Sequence, residues 1–427
     1  MAGRVQLETS GPQDRFFTVD PEYTYFLKSF KKHSNFSLEY VDLDPENEFD
    51  FGKTVHFKIP QNQGDLLKTI SVKVTLPEIG TSLMGYIDSV GHALIETAEL
   101  IIGGSVVQRL TSDYLQIYSE HYVSQTKQKA LEELIGKYSE RSASTRVSDK
   151  EILCHIGASQ SDVDYFIDLP FYFHNNPELA LPLCAIKNQE IEIRLKLRNY
   201  QDLIAKVDGT YVDIAPEVLN LKKFTICNEV VFLDPCERVK VASTKKDYII
   251  TQLQQEVFDV DQGITSASFK LQFVNPVKEL YFIIQRQGRV GTGEGQFVTP
   301  FDYDNTLLTS NGRLILYENL DYLTLDLDGQ PIITEDTGNV IFLKAVQGCI
   351  HHSKTQLLRR FYSYSFACEP EKWYPTGQVN FSLVKEQILN LSLTPCIDYK
   401  RQVRVYALSY NILRVSGGIA KTIFNDN

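Results

Sequence analysis

The sequence predicts an all-β chain built as two tandem eight-stranded antiparallel sandwiches with short helical insertions. Three observations lead there. Apolar residues alternate with polar ones in many short runs, which sets one side chain in two on each face of a sheet and leaves one face wet. Glycine-containing turn pairs punctuate those runs, including Gly103-Gly104, Asn311-Gly312 and Asp328-Gly329. The length of 427 residues is too great for one core, and two halves of roughly 200 residues suit a sandwich each.

Along the chain, Asp20 as N-cap and Pro21 at the first helical position predict a short helix with Tyr23, Phe26, Leu27 and Phe30 on one face. Strand patterning follows at Val55 to Ile59 and at Ile70, Val72, Val74 and Leu76, which alternate with Ser71, Lys73 and Thr75. Leu131, Leu134, Ile135 and Tyr138 have the spacing of one helix face, so a helix is inserted between strands there. Ile191, Ile193, Leu195 and Leu197 then alternate with charged neighbours. Between Tyr200 and Lys223 the text turns to Asp208-Gly209, Asp213 and Pro216, and patterning restarts at Phe224. The expected division is an N-terminal segment over 1–24, a first sandwich over 25–217 and a second over 218–427. The second half carries strands at Phe269 to Phe273, Leu323 to Leu327, Leu389 to Leu393 and Val403 to Leu413.

Composition excludes several function classes. A hydrophobic share of 43% and a charged share of 23% are those of a folded chain, not of a disordered or collagenous one. With 43 Lys and Arg against 54 Asp and Glu, the net charge of −11 opposes a nucleic-acid footprint, so no direct nucleic-acid contact is expected. No run reaches the roughly 18 apolar residues of a membrane helix, and the first thirty residues lack a signal-peptide pattern. The expectation is a soluble chain outside the secretory route. Seven cysteines without a C-x-x-C spacing are read as buried free thiols.

A search for chemistry finds little, and the chain is expected to be neither an enzyme nor a holder of a cofactor or metal. It has no G-x-S-x-G, H-E-x-x-H or P-loop signature. The glycines at 288, 291, 293 and 295 precede no helix that could hold a phosphate. His351-His352 and Cys154-His155 are adjacent pairs, which on a strand point to opposite faces and cannot share an ion. Asp42, Asp44, Glu46, Glu48 and Asp50 lack the glycine and final Glu of a calcium loop and read as a solvated segment. Lys28, Lys31, Lys32 and His33 form a small basic cluster of the same bland kind. Glycosylation sequons stand at Asn35, Asn380 and Asn390, the last facing outward by alternation. A carbohydrate-binding β-sandwich protein is a rival reading, because aromatic residues stack on sugars.

Longer phrases go further. Asn275-Pro276-Val277-Lys278-Glu279-Leu280 and its following strand resemble a phrase of the major capsid proteins of nucleocytoplasmic large DNA viruses. So do Tyr364-Ser365-Phe366-Ala367-Cys368-Glu369-Pro370, Tyr406-Ala407-Leu408 and Tyr410-Asn411-Ile412-Leu413-Arg414 before Gly417-Gly418. In the first half the similar phrases are Thr24-Tyr25-Phe26, Gly91-His92-Ala93-Leu94-Ile95-Glu96, Ile102-Gly103-Gly104 and Leu179-Ala180-Leu181-Pro182-Leu183. Departures occur at Lys246 to Gln252 and in the tail Ile419 to Asn427, which leaves a minor capsid paralogue as an alternative. The resemblance implies a double jelly roll that forms homotrimeric, pseudo-hexagonal capsomers tiling an icosahedral shell. It further implies contacts with neighbouring capsomers, minor capsid proteins and an inner viral membrane, a place in the virion capsid, and assembly in the host cell cytoplasm.

Overall fold

The computed structural model describes residues 2–27, 30–79, 84–137, 154–155, 161–174, 176–206, 219–286, 300–301, 303, 305–308, 314–353, 361–396 and 400–424. The chain divides into two units, Met1–Phe36 and Ser37–Asn427. The first contains helices α1 (Ala2–Glu8) and α2 (Pro12–Thr18). Pro12 opens α2 where its missing N–H costs nothing, and the Asp14 carboxylate accepts the Gly11 N–H at 2.7 Å. The helix expected from Asp20 does not form. Asp20 adopts a left-handed φ of 54° instead of an extended N-cap conformation, and residues 20–27 run as turns and bends. Tyr23, Phe26, Leu27 and Phe30 are all exposed, so their own unit offers no apolar surface to hold them on one face.

Sixteen of the described strands make the body of the two sandwiches, and the short strands Val379–Asn380 and Ile419–Thr422 add to one sheet of the second. The first uses β1 (Phe36–Leu43), β2 (Thr54–Lys58), β3 (Leu66–Leu76), β4 (Ile95–Ile102), β5 (Ser105–Thr111), β6 (Val163–Asp168), β7 (Ile191–Leu197) and β8 (Lys223–Leu233). Its sheets run β1-β8-β3-β6 and β2-β7-β4-β5. The second uses β9 (Lys246–Val260), β10 (Ser266–Lys270), β11 (Pro276–Arg286), β12 (Leu320–Leu327), β13 (Gln330–Ile333), β14 (Tyr362–Ser365), β15 (Gln387–Leu393) and β16 (Arg401–Ser416). Its sheets run β9-β16-β11-β14 and β10-β15-β12-β13. Adding eight to each label of the first sandwich gives the second, so the two halves share one jelly-roll strand order although no sequence repeat is visible.

The alternating runs behave as their periodicity requires. Val55 and Phe57, Ile70, Val72 and Val74, and Ile191, Ile193 and Leu195 are fully buried in the first core. The sheet β9-β16-β11-β14 is different, because both of its faces are covered. Tyr281, Ile283, Tyr406 and Leu408 pack into the first core, while Leu280, Phe282, Ile284, Val403, Val405 and Ala407 pack into the second. That explains why β11 and the middle of β16 read as continuous apolar text instead of alternation. This sheet is a wall common to both sandwiches.

Helices α3 (Val90–Leu94), α4 (Ser112–His121) and α5 (Gln125–Ile135) are insertions of the first sandwich. The predicted helix is α5: Ile135 is buried, Leu134 sits at the rim, and Gly136 ends it at a left-handed φ of 71°. Tyr138 lies outside the described residues. Helix α6 (Pro235–Ser243) joins the two halves, and α7 (Gln347–His351) follows a π-helical turn over Phe342–Val346. Phe224 lies opposite Val74 and Ile226 opposite Val72, so β8 is hydrogen-bonded into the first sandwich. A division at 217/218 therefore sets β8 on the side away from its partners. The Asp208 to Pro216 break and the glycines at 288–295 lie outside the described residues.

Candidate functional site

Helix α4 carries a buried polar contact into the second sandwich at each end. Thr111 caps it, its hydroxyl accepting the Tyr114 N–H at 3.3 Å, and Asp113 sits in the first turn where the helix dipole favours a carboxylate. Asp113 accepts from the Tyr406 hydroxyl at 2.6 Å and the Tyr303 hydroxyl at 2.7 Å, and the Arg404 Nε lies 2.9 Å away. Arg404 also donates to Gln285. Burial pushes the Tyr303 and Tyr406 phenols well above their ordinary values, and the Asp113 charge adds to it. Burial works against the Arg404 cation, but the Asp113 carboxylate outweighs it and holds the guanidinium charged.

At the other end His121 meets Glu279 of β11 and His352, the residue after α7. Their ligating atoms lie within 4.8 Å of one another, and all three residues are buried. His352 Nε2 is 2.6 Å from Glu279 Oε1, with side-chain exposures of 1% and 0%. The other His352 nitrogen, Nδ1, lies 3.6 Å from the Glu371 carboxylate. Glu279 also accepts from the Tyr281 hydroxyl at 2.7 Å. The His121 and His352 rings are 4.0 Å apart between centroids. Burial disfavours the His352 cation, but Glu279 and then Glu371 more than offset it and raise the group to about 9. Burial likewise opposes the Glu279 charge, yet His352 holds that carboxyl below its usual range.

Neighbouring Lys278 donates to the Pro370 carbonyl at 2.8 Å and lies over the Tyr410 ring at 5.4 Å. Burial lowers it to about 8 against the pull of Glu279. A register shift between Val277 and Glu279, at the start of β11, turns both Lys278 and Glu279 into buried positions. Enclosed side chains of this kind join parts of a fold; they offer no face to a substrate.

The residues singled out in the sequence are placed elsewhere. Asn35 and Asn380 are exposed, and the Asn380 Oδ1 accepts the Ser382 N–H at 3.1 Å. Asn390 faces outward from β15 but is half-buried, donating to Thr324 and Asp326 across the ladder at 3.3 and 3.4 Å. His351 and His352 diverge as adjacent residues do, but at a helix end and not on a strand. His155 pairs opposite Tyr86 and Cys154 opposite Ile87 in a small sheet. In the acidic run Glu48 pairs with Lys53, while Asp50 accepts the backbone N–H groups of Phe51 and Leu221. Lys31, Lys32 and His33 are exposed, and Lys28 lies outside the described residues. The reading of the cysteines as buried thiols holds for Cys184 and Cys396 but not for Cys236, Cys349 and Cys368, which are exposed on α6, on α7 and in the loop after β14.

With the repeated strand order in view, comparisons with known proteins are specific. The family model described as "Major capsid protein N-terminus" matches residues 24–236, and "Large eukaryotic DNA virus major capsid protein" matches 237–421. The chain belongs to the major capsid protein family of large eukaryotic DNA viruses. It is 29% identical to the major capsid protein of Pyramimonas orientalis virus and 26% identical to that of Phaeocystis pouchetii virus, each alignment covering 99% of both chains. Among solved structures, a subunit of the PBCV-1 virus capsid superposes with a TM-score of 0.76 at 20% identity, over 94% of this chain and 100% of the other. The Faustovirus major capsid protein does so with 0.72 at 13% identity, over 97% and 96%. The fold is thus the double jelly roll of viral shells. This capsid protein is a structural component of the virion shell, where it assembles with other capsid subunits. Its Asn275-to-Leu280 phrase, by which the family is recognisable in the sequence, supplies Lys278 and Glu279 at the seam.

Proposed function

We propose that this capsid protein forms a homotrimer, six sandwiches around one axis, that serves as a pseudo-hexagonal capsomer and tiles the faces of an icosahedral shell. The observation that carries the reading is the repeated strand order on either side of a shared wall, since a rigid pair of like sandwiches gives a trimer near-sixfold outline. Neighbouring capsomers, minor capsid proteins and an inner viral membrane are its partners, with no direct contact to the genome, in keeping with the net charge of −11. Assembly takes place in the host cell cytoplasm, and the role is structural, not enzymatic. Residues 1–24 act as a separate N-terminal segment, and the pairing of β8 supports a changeover between sandwich domains after Leu233 instead of at 217/218. Of the sequons, Asn35 and Asn380 are the accessible ones, while the ladder contacts of Asn390 oppose its modification. Light scattering after size exclusion tests the central claim: three copies of a 48.7 kDa chain give about 146 kDa. A monomer across micromolar concentrations overturns it.

A further inference from the structure

The cluster of His121, Glu279 and His352 has a donor set that the shell role leaves unexplained. Two imidazoles and one carboxylate come from three separate segments, the end of α4, the start of β11 and the residue after α7. His352 lies 2.6 Å from Glu279, the His121 ring packs 4.0 Å from the His352 ring between centroids, and the ligating atoms of all three lie within 4.8 Å of one another. Both neighbours of the cluster are arranged as supports for ligands. Tyr281 fixes the Glu279 carboxylate by a 2.7 Å hydrogen bond, and Glu371 lies behind the far nitrogen of His352, the carboxylate–histidine arrangement that orients and strengthens imidazole ligands.

We propose that His121, Glu279 and His352 bind one divalent transition-metal ion, best matched by Zn²⁺, which staples the first sandwich's α4 to the wall and to α7. Two nitrogens and one oxygen suit zinc, and a fourth position falls to water or to the Tyr122 hydroxyl, which lies 3.4 Å from Glu279 Oε2. Binding replaces the proton between His352 and Glu279: the imidazole N–H bond breaks, the proton leaves to solvent, and both rings serve as neutral ligands. Metal–ligand bonds of about 2.0–2.2 Å set ligand atoms roughly 3.3 Å apart, so on binding Glu279 and His352 separate slightly and His121 closes in. Because the site is enclosed, the ion enters as the chain folds and not afterwards.

The test uses the full chain produced in medium supplemented with Zn²⁺ or Co²⁺, dialysed against chelator and analysed for metal by mass spectrometry. The expected result is one ion per chain, visible ligand-field bands in the cobalt form without a thiolate charge-transfer band, and metal content lower by about tenfold or more in His121→Asn and Glu279→Gln. Protein refolded with Zn²⁺ melts higher than protein refolded with chelator. Should the variants fail to fold, the cobalt spectrum and melting shift of the unaltered chain decide. Metal far below one per chain with no shift, equal metal in the folded variants, or a thiolate band pointing to the exposed cysteines each overturns the proposal.

Discussion

Replacing Asp113 by Asn removes one charge and almost no volume, so it isolates the electrostatic tie between α4 and the wall from any cavity. The carboxylate serves two tyrosine hydroxyls at 2.6 and 2.7 Å and a guanidinium at 2.9 Å, with Asp113 and Arg404 side chains 9% and 16% exposed. Hydrogen bonds to a charged group contribute about 1.5–3 kcal/mol each, and a buried ion left without its partner costs about 3–5 kcal/mol. These overlap, because the same oxygens serve both, and an amide keeps one acceptor, so a loss of roughly 4 kcal/mol is expected. A unit the size of Ser37–Asn427 shifts by only about 1–2 °C per kcal/mol, so the melting temperature drops by roughly 5 °C. Urea denaturation and calorimetry at one fixed protein concentration measure it, since subunit association also shifts apparent stability. The control is Arg404→Met, alone and with Asp113→Asn. If the unpaired cation is the cause, the double variant is more stable than Asp113→Asn alone. A loss under about 1 kcal/mol, or single effects that simply add, refutes the reasoning.

Two further outcomes follow from packing. Deleting residues 2–23 should leave the melting temperature of the remaining chain within about 1 °C, because Leu7, Phe16, Phe17 and Tyr23 are exposed and little buried apolar area goes with them; a larger drop in calorimetry shows otherwise. Gly338→Ala should cost more than about 4 kcal/mol or abolish soluble expression, since a Cβ there would stand 1.7 Å from the Leu323 carbonyl, whose own N–H donates to Gly338 at 3.0 Å. Ordinary stability of that variant in the same assays contradicts the close approach.

Much of the fold was legible because a sheet with one wet face writes itself as alternation. Ile191 to Leu197 and Leu389 to Leu393 are strands where that pattern stands, and Leu131, Leu134 and Ile135 mark α5. The helix expected after Asp20 failed because local signals do not create a surface for an apolar face to cover, and none exists within that unit. A composition break shows where a connection runs, not which sheet the next strand joins, and after the break Phe224 of β8 lies opposite Val74. The polar seam was invisible for a related reason. His121, Glu279 and His352 are far apart in sequence, and only the register shift at the start of β11 with the fold of α4 and α7 brings them together. A buried Lys-Glu pair opening an otherwise apolar strand was the one available signal.

The shared wall also sets the direction in which this chain is stiffest. Strands β9 and β16 lie antiparallel in unbroken register from Lys246 opposite Val415 to Val260 opposite Arg401, a run of roughly 50 Å at about 3.4 Å per residue. Tension directed along those strands loads their cross-links in shear, so many must yield at once, whereas tension across them would open the ladder one rung at a time. Because each face of the wall is gripped by a different core, sliding the strands disrupts two packed interiors together. The chain is therefore stiffest to force directed along β9 and β16 and yields more readily to force across them.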